Sequence, residues 1–142
     1  MHDVSSLDAP TQELIAAARA ARRNSYSPYS HFAVGASVRT ADGALHAGCN
    51  VENASFGLTL CAERNAIVTA VGQGARRITA VAIATDGDGP RAWPCGACRQ
   101  VLAEFGPDME VFVVGDGDAV WAGRLGELLP HQFDFPFSGE GS

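Results

Sequence analysis

The Asp42-Gly43 pair, with the patterns on either side of it, constrains this chain's fold more than any other feature. Before it, Phe32, Val34, Ala36 and Val38 alternate with Ala33, Gly35, Ser37 and Arg39. A period of two fits a strand. Asp-Gly is a favoured hairpin turn, so residues 44–51 are expected to return as the second arm. Past the hairpin the period changes. Ala62, Ala66, Ile67, Ala70 and Val71 recur at helical spacing within residues 61–73. Ile78 to Thr85 is a short apolar run rich in β-branched residues, which reads as a buried strand. Cys98, Val101, Leu102 and Phe105 mark one face of a further helix, and Glu110 to Val114 reads as another buried strand. A hairpin followed by helix, strand, helix and strand predicts an α/β fold, a mixed sheet of about five strands with helices on its faces. In such sheets a site usually forms where strand ends meet helix N-termini.

The flanking segments read more simply. Residues 10–23 are expected to form an opening helix, with Pro10 suited to the first turn and Arg22 and Arg23 to the last. Asn24 to Ser30 is a loop by composition. Ala119 to Leu129 has room for a short strand and a short helix before Pro130, and a loose tail is expected beyond Gly139. With 142 residues, the chain is expected to form one domain over 1–142, its ordered core spanning roughly 10–133.

Charge and hydropathy narrow the partners. A formal charge of -6 argues against a nucleic-acid polymer. No apolar run approaches the ~20 residues that would span a bilayer, so no membrane partner is expected. Met1-His2-Asp3-Val4 lacks the basic, then apolar, character of a secretory signal. A reducing, cytoplasmic setting is the default, and there the four cysteines suit metal or catalysis better than disulfides.

The chemistry concentrates in Cys61-Ala62-Glu63-Arg64 and Pro94-Cys95-Gly96-Ala97-Cys98, both at expected helix starts. Free backbone N–H groups and the positive end of the dipole favour thiolate there, the form that binds metal. Cys95 and Cys98 are one turn apart and both can reach a single ion. Cys61 would make a third ligand and leave one position open, the arrangement of a catalytic zinc. Cys49 shares a strand face with Val51, opposite Asn50 and Glu52, and reads as a core residue. Two other readings of the cysteines exist. A redox Cys-x-x-Cys leaves Cys61 and Glu63 without a role, and a structural zinc site lacks a histidine at ligand spacing. Glu63 is too close to Cys61 to share the ion easily and is better placed beside a bound water, although a first-turn glutamate also complements the dipole. Arg64 could offset the negative charge left by three thiolates and one Zn²⁺, with Arg99 a second candidate. Asn50 and Glu52 taken alone could equally be turn residues.

Taken together these motifs carry a resemblance. Cys-Ala-Glu-Arg followed by Pro-Cys-Gly-Ala-Cys-Arg-Gln is similar to the three-cysteine signature of the zinc-dependent deaminases. The chain resembles the small homotetrameric cytidine deaminases from about Leu14 to Phe133. Further matches lie in Tyr26 to Ala36, Gly48 to Ser55 and Glu127 to Phe133. The resemblance implies a three-layer α/β/α cytidine-deaminase-like fold and one Zn²⁺ per chain on Cys61, Cys95 and Cys98. It implies Glu63 as proton shuttle, with Phe32, Asn50, Glu52, the Ala62 backbone and Phe133 as substrate contacts. Phe133 would reach a neighbouring subunit's pocket in a homotetramer. Phe56 stands where several relatives carry tyrosine. The implied reaction is hydrolytic deamination of cytidine and deoxycytidine in pyrimidine salvage, by attack of zinc-bound hydroxide on carbon 4. An aminonucleoside deaminase of the blasticidin type differs at the Asn50-Val51-Glu52-Asn53 motif, and a polynucleotide deaminase conflicts with the acidic balance.

Overall fold

A computed structural model describes residues 1–135. Among these, six strands form one sheet in the order β1-β6-β5-β4-β2-β3. They are β1 (His2–Asp3), β2 (Gly35–Thr40), β3 (Leu45–Cys49), β4 (Ile78–Ala84), β5 (Glu110–Val114) and β6 (Ala119–Arg124). The helices are α1 (Ala9–Arg22), α2 (Ala62–Gly72), α3 (Gly96–Phe105) and the single-turn α4 (Leu125–Leu128). The sheet is mixed: β4 and β5 run parallel, and every other neighbouring pair is antiparallel. The five strands expected from the sequence are present. The sixth is the two-residue β1, too short to leave a periodic signal, which pairs with β6 at the sheet's edge.

Both faces of the central strands are buried, which gives three layers. On one face Ala80, Ala82 and Ala84 of β4, with Phe112 and Val114 of β5, pack against Leu14, Ile15 and Ala18 of α1. On the other, Val81 and Ile83 of β4 and Val111 and Val113 of β5 meet Ala66, Ile67 and Ala70 of α2 and Leu102 of α3. Strands sandwiched this way read as continuous apolar runs, as β4 and β5 do. Asp8 starts α1 by accepting the Thr11 N–H at 2.9 Å.

The first arm of the hairpin is shorter than its alternation suggests. The ladder opens at Gly35, and Phe32 to Val34 lie outside it. Two of their backbone groups bond to one side chain: Asn50 Nδ2 donates to the Phe32 carbonyl at 2.8 Å, and the Val34 N–H donates to Asn50 Oδ1 at 2.9 Å. Arg22 Nε donates to the Ala33 carbonyl at 3.0 Å, and the Asn50 backbone N–H to the Val34 carbonyl at 3.1 Å. The residues keep an extended path without a partner strand. The tail beyond Gly139 falls outside the described residues.

Helix α2 lies close on β3 because Gly48 has no side chain. A Cβ there would stand 2.6 Å from the Ala66 backbone nitrogen and 2.9 Å from the Asn65 Cβ. Neither neighbour can move without shifting the helix. Gly48→Ala is therefore expected to destabilise by about 1–3 kcal/mol, as overpacking does, read as a lowered Tm. Gly72→Ala, where a Cβ meets nothing within 4 Å, is the control and should be neutral or slightly stabilising.

Candidate active site

Two helix starts meet above the end of β4. Cys61 is the N-cap of α2 and Cys95 the N-cap of α3, where the Cys95 sulfur accepts the Cys98 N–H at 3.4 Å. Their first-turn N–H groups face the same space, so both helices present their positive ends to it. The sulfurs of Cys61, Cys95 and Cys98 lie within 4.8 Å of one another. Sulfurs bound tetrahedrally to one zinc at about 2.3 Å stand roughly 3.8 Å apart. The cluster therefore accepts the ion with an adjustment of about an ångström or less. Cys49 is not part of it; its carbonyl instead accepts the Asn65 side-chain N–H at 2.8 Å, tying α2 to the end of β3.

The thiols differ in acidity. Hydrogen bonding from the Cys98 thiol and then the Arg64 guanidinium draws Cys61 down to about 5. Cys98 is held protonated by that shared bond and by burial. A cation bound among the sulfurs would displace that proton, which couples metal affinity to pH. Arg64 lies beside the cluster, with Nη2 3.7 Å from the Cys61 sulfur and 3.4 Å from the Thr59 carbonyl. Arg99 has a different task. Its guanidinium donates to the Pro94 carbonyl at 2.7 Å and to the Leu128 carbonyl at 2.8 Å, fastening the segment before α3 to the end of α4.

A cavity of about 260 Å³ opens beside the sulfurs, lined among others by Cys61, Cys95, Ala62 and Glu63 from the two helix starts and by Ile83 from β4. Phe32, Asn50 and Glu52 line it from the opposite side. Glu63 is 6% exposed, and burial raises its carboxyl to about 7, helped by the neighbouring Cys61 charge. Glu52 is also buried but shifts the other way, lowered chiefly by the Ser30 hydroxyl and then by the Tyr29 and Ser30 N–H groups. The Ala62 N–H belongs to the first turn of α2 and has no intrahelical acceptor.

The residues singled out in the sequence thus converge, apart from Phe133. It is 71% exposed and does not line this cavity. Phe56 is 72% exposed and meets the Tyr29 ring edge-on at 5.7 Å. Other residues at the site carry no functional signal of their own in the sequence. Trp93 lines the cavity and packs edge-on against Trp121 at 6.1 Å. Ser25 and Ser30 bond to Asn50 and Glu52 from the preceding loop; their only signal is the Ser-Tyr-Ser-Pro-Tyr-Ser run itself, which by composition reads as a loop.

Residues 9–114 match the family model described as the cytidine and deoxycytidylate deaminase zinc-binding region. The chain is 42% identical over 123 residues to a cytidine deaminase of Sporosarcina psychrophila, covering 86% of this chain and 90% of that one. It is 45% identical over 123 residues to a cytidine deaminase of Halalkalibacterium halodurans, covering 86% and 92%. Among solved structures, a cytidine deaminase from Burkholderia pseudomallei superposes with a TM-score of 0.81 at 48% identity, covering 86% of this chain and 98% of that one.

Removing one sulfur leaves two ligands and an open cluster. Cys95→Ala is expected to lose its zinc on purification, whereas Cys49→Ala keeps about one equivalent per chain, as measured by elemental analysis. Full occupancy in Cys95→Ala, or metal loss from Cys49→Ala alone, contradicts the three-sulfur site.

Proposed function

The chain belongs to the cytidine and deoxycytidylate deaminase family, and we infer from that membership that it hydrolyses the 4-amino group of cytidine and deoxycytidine, giving uridine or deoxyuridine and ammonia. The observation that carries this reading is the pairing, within one cavity, of a three-sulfur cluster with a buried carboxyl that is not part of the cluster. Zinc held by Cys61, Cys95 and Cys98 supplies the Lewis acidity that makes water nucleophilic at neutral pH.

The chain's own groups do the rest. Glu63 accepts one proton of the attacking water and passes it to the ring nitrogen as carbon 4 is attacked. It then takes the second from the hydroxyl added at carbon 4 and delivers it to the departing amine as the carbon–nitrogen bond breaks and the carbonyl forms. A carboxyl drawn to about 7 by burial is matched to giving and taking protons near neutrality. The Ala62 N–H, unpaired within its helix, is available to the pyrimidine. Phe32 packs against the base, and its ring is in contact with Arg91, whose guanidinium carbon lies 5.3 Å from the ring centroid. Asn50 and Glu52 read the sugar, so a free base leaves a buried charge unpaired and a 5′-phosphate meets carboxylate repulsion. Arg64 offsets charge on the sulfurs.

The same reading extends to assembly and place. We assign a homotetramer of one-domain chains in which Phe133 helps to close a neighbouring subunit's cavity. Its exposure, and its absence from the lining of its own cavity, support this. So does an apolar surface beside the cavity: Tyr26, Val51 and Leu60 are linked by backbone bridges, and all three, with Phe56 and Leu58, are exposed. Patches of this kind mark contact surfaces. Among the described residues no helix is long and apolar enough to cross a membrane. The thiolate-dependent site suits a reducing cytoplasm.

Glu63→Gln is the direct test. It should keep about one zinc and bind nucleoside normally while losing at least ~10²-fold in turnover, the scale of a removed proton-transfer group. Ammonia release from cytidine by the zinc-loaded variant at a near-normal rate would end the assignment. With the unaltered protein, cytosine and CMP should react far more slowly than cytidine and deoxycytidine. Light scattering should give a tetramer, and an active monomer at assay concentration would overturn the assembly.

A further inference from the structure

Asn50 and Glu52 are both buried, and most of their hydrogen-bonding capacity is occupied from within the chain. The neighbours fix which way the Asn50 amide points. The Val34 N–H, 2.9 Å away, needs an acceptor and the Phe32 carbonyl, 2.8 Å away, needs a donor, so Oδ1 faces Val34 and Nδ2 faces Phe32. The Ser25 hydroxyl has one proton, and Asn50 Oδ1 is its nearest acceptor. Both lone pairs of Oδ1 are then engaged, and Nδ2 retains one N–H.

Glu52 is held in the same manner. Its Oε1 accepts the Tyr29 N–H at 2.9 Å and the Ser30 N–H at 3.1 Å. The Ser30 hydroxyl donates to Oε2 and in turn accepts the Phe32 N–H at 3.0 Å, which fixes the direction of its proton. A carboxylate offers about four acceptor positions. Three are filled, and one on Oε2 stays open.

We propose that Ser25 and Ser30 are positioning residues that reduce the Asn50–Glu52 pair to one free donor and one free acceptor, the complement of a single sugar hydroxyl. The proposal rests on the nucleoside-binding role given to that pair above. A hydroxyl donates once and accepts readily, so one hydroxyl satisfies both free positions and a second finds no partner there. Loss of the 2′-hydroxyl then costs nothing at this pair. A sugar with neither the 2′- nor the 3′-hydroxyl leaves a buried carboxylate position unpaired and is rejected. The serines set this discrimination without touching the reacting atoms. Removing the Ser30 hydroxyl frees a second position on Oε2 and lets the carboxylate swing about its two remaining backbone donors.

The test compares kcat and KM for cytidine, deoxycytidine and 2′,3′-dideoxycytidine in zinc-loaded Ser30→Ala, Ser25→Ala and Ser30→Thr. Ser30→Ala should raise KM for cytidine roughly 10-fold, the scale of one hydrogen bond to a charged group, with kcat changed less than about 2-fold. Its preference for cytidine over dideoxycytidine should fall several-fold. Ser30→Thr, which keeps the hydroxyl, should restore both. Ser25→Ala should move the same two readouts in the same direction and carries the test if Ser30→Ala does not fold. An unchanged preference in folded, zinc-loaded serine variants would overturn the proposal, as would a loss confined to kcat. Glu52→Gln separates the two levels. If it leaves the preference for cytidine over cytosine intact, the sugar-reading role itself fails. If it collapses that preference while the serine variants do not, only the positioning role fails.

Discussion

Strand β2 lies between β3 and β4 and is antiparallel to both, so β3 and β4 point the same way. Each is followed by a helix on the same face of the sheet, α2 after β3 and α3 after β4. Both helices must therefore begin at the same end of the sheet, which brings two sets of free N–H groups and two positive dipole ends together. Cys61 and Cys95 occupy the N-cap positions of those two helices, and Cys98 lies in the first turn of α3. The metal cluster is thus a consequence of strand direction: reverse either neighbour of β2 and Cys61 and Cys95 would sit at opposite ends of the molecule.

That convergence also sets the electrostatics. The Cys61 thiolate places negative charge beside the Glu63 carboxyl in a space walled by apolar residues such as Ile83. Two helix N-termini and Arg64 oppose it. The Arg64 Nε is buried and has no hydrogen-bond partner among the described residues, an arrangement with a desolvation cost, yet its Nη2 stands against Cys61. The close seat of α2 on β3 over Gly48, and the Asn65 bond to the Cys49 carbonyl, hold the helix start in place against that repulsion.

Much of this was legible in the sequence, and the reasons differ by element. Strands β4 and β5 declared themselves because burial on both faces leaves unbroken apolar runs. The metal cluster was readable because its ligand types are few and two of them lie one turn apart. Asn50 and Glu52 pointed together because strand alternation persists past Cys49, where the ladder ends. What could not be read was long-range pairing among ordinary polar residues. Nothing local distinguishes a serine that bonds a glutamate 22 positions away from one that merely turns the chain. Nor does alternation reveal that the Phe32 and Val34 backbone bonds to a side chain 18 and 16 residues on rather than to a strand. The C-terminal aromatics illustrate a third limit. The exposure of Phe133 and Phe135 is a tertiary fact that composition does not carry.

The cavity contains two buried glutamates, and their surroundings push them apart. Glu52 is clamped by two backbone N–H groups and a hydroxyl, which lower its pKa and keep it an ionised acceptor. Glu63 receives less. Bonds from its own N–H and the Cys98 thiol do not offset burial and the Cys61 charge, and it rises to about 7. A carboxylate held at three of its acceptor positions is suited to holding a hydroxyl in one orientation at the fourth, since none of its donors changes during the reaction. A weakly bonded one can change protonation state without breaking a network around it. Environments that separate the pKa values of two like groups separate their tasks as well, and here the separation comes from where each glutamate attaches. Glu63 sits on the helix turn facing the sulfurs, whereas Glu52 lies beyond the strand end, within reach of the loop that carries Ser30.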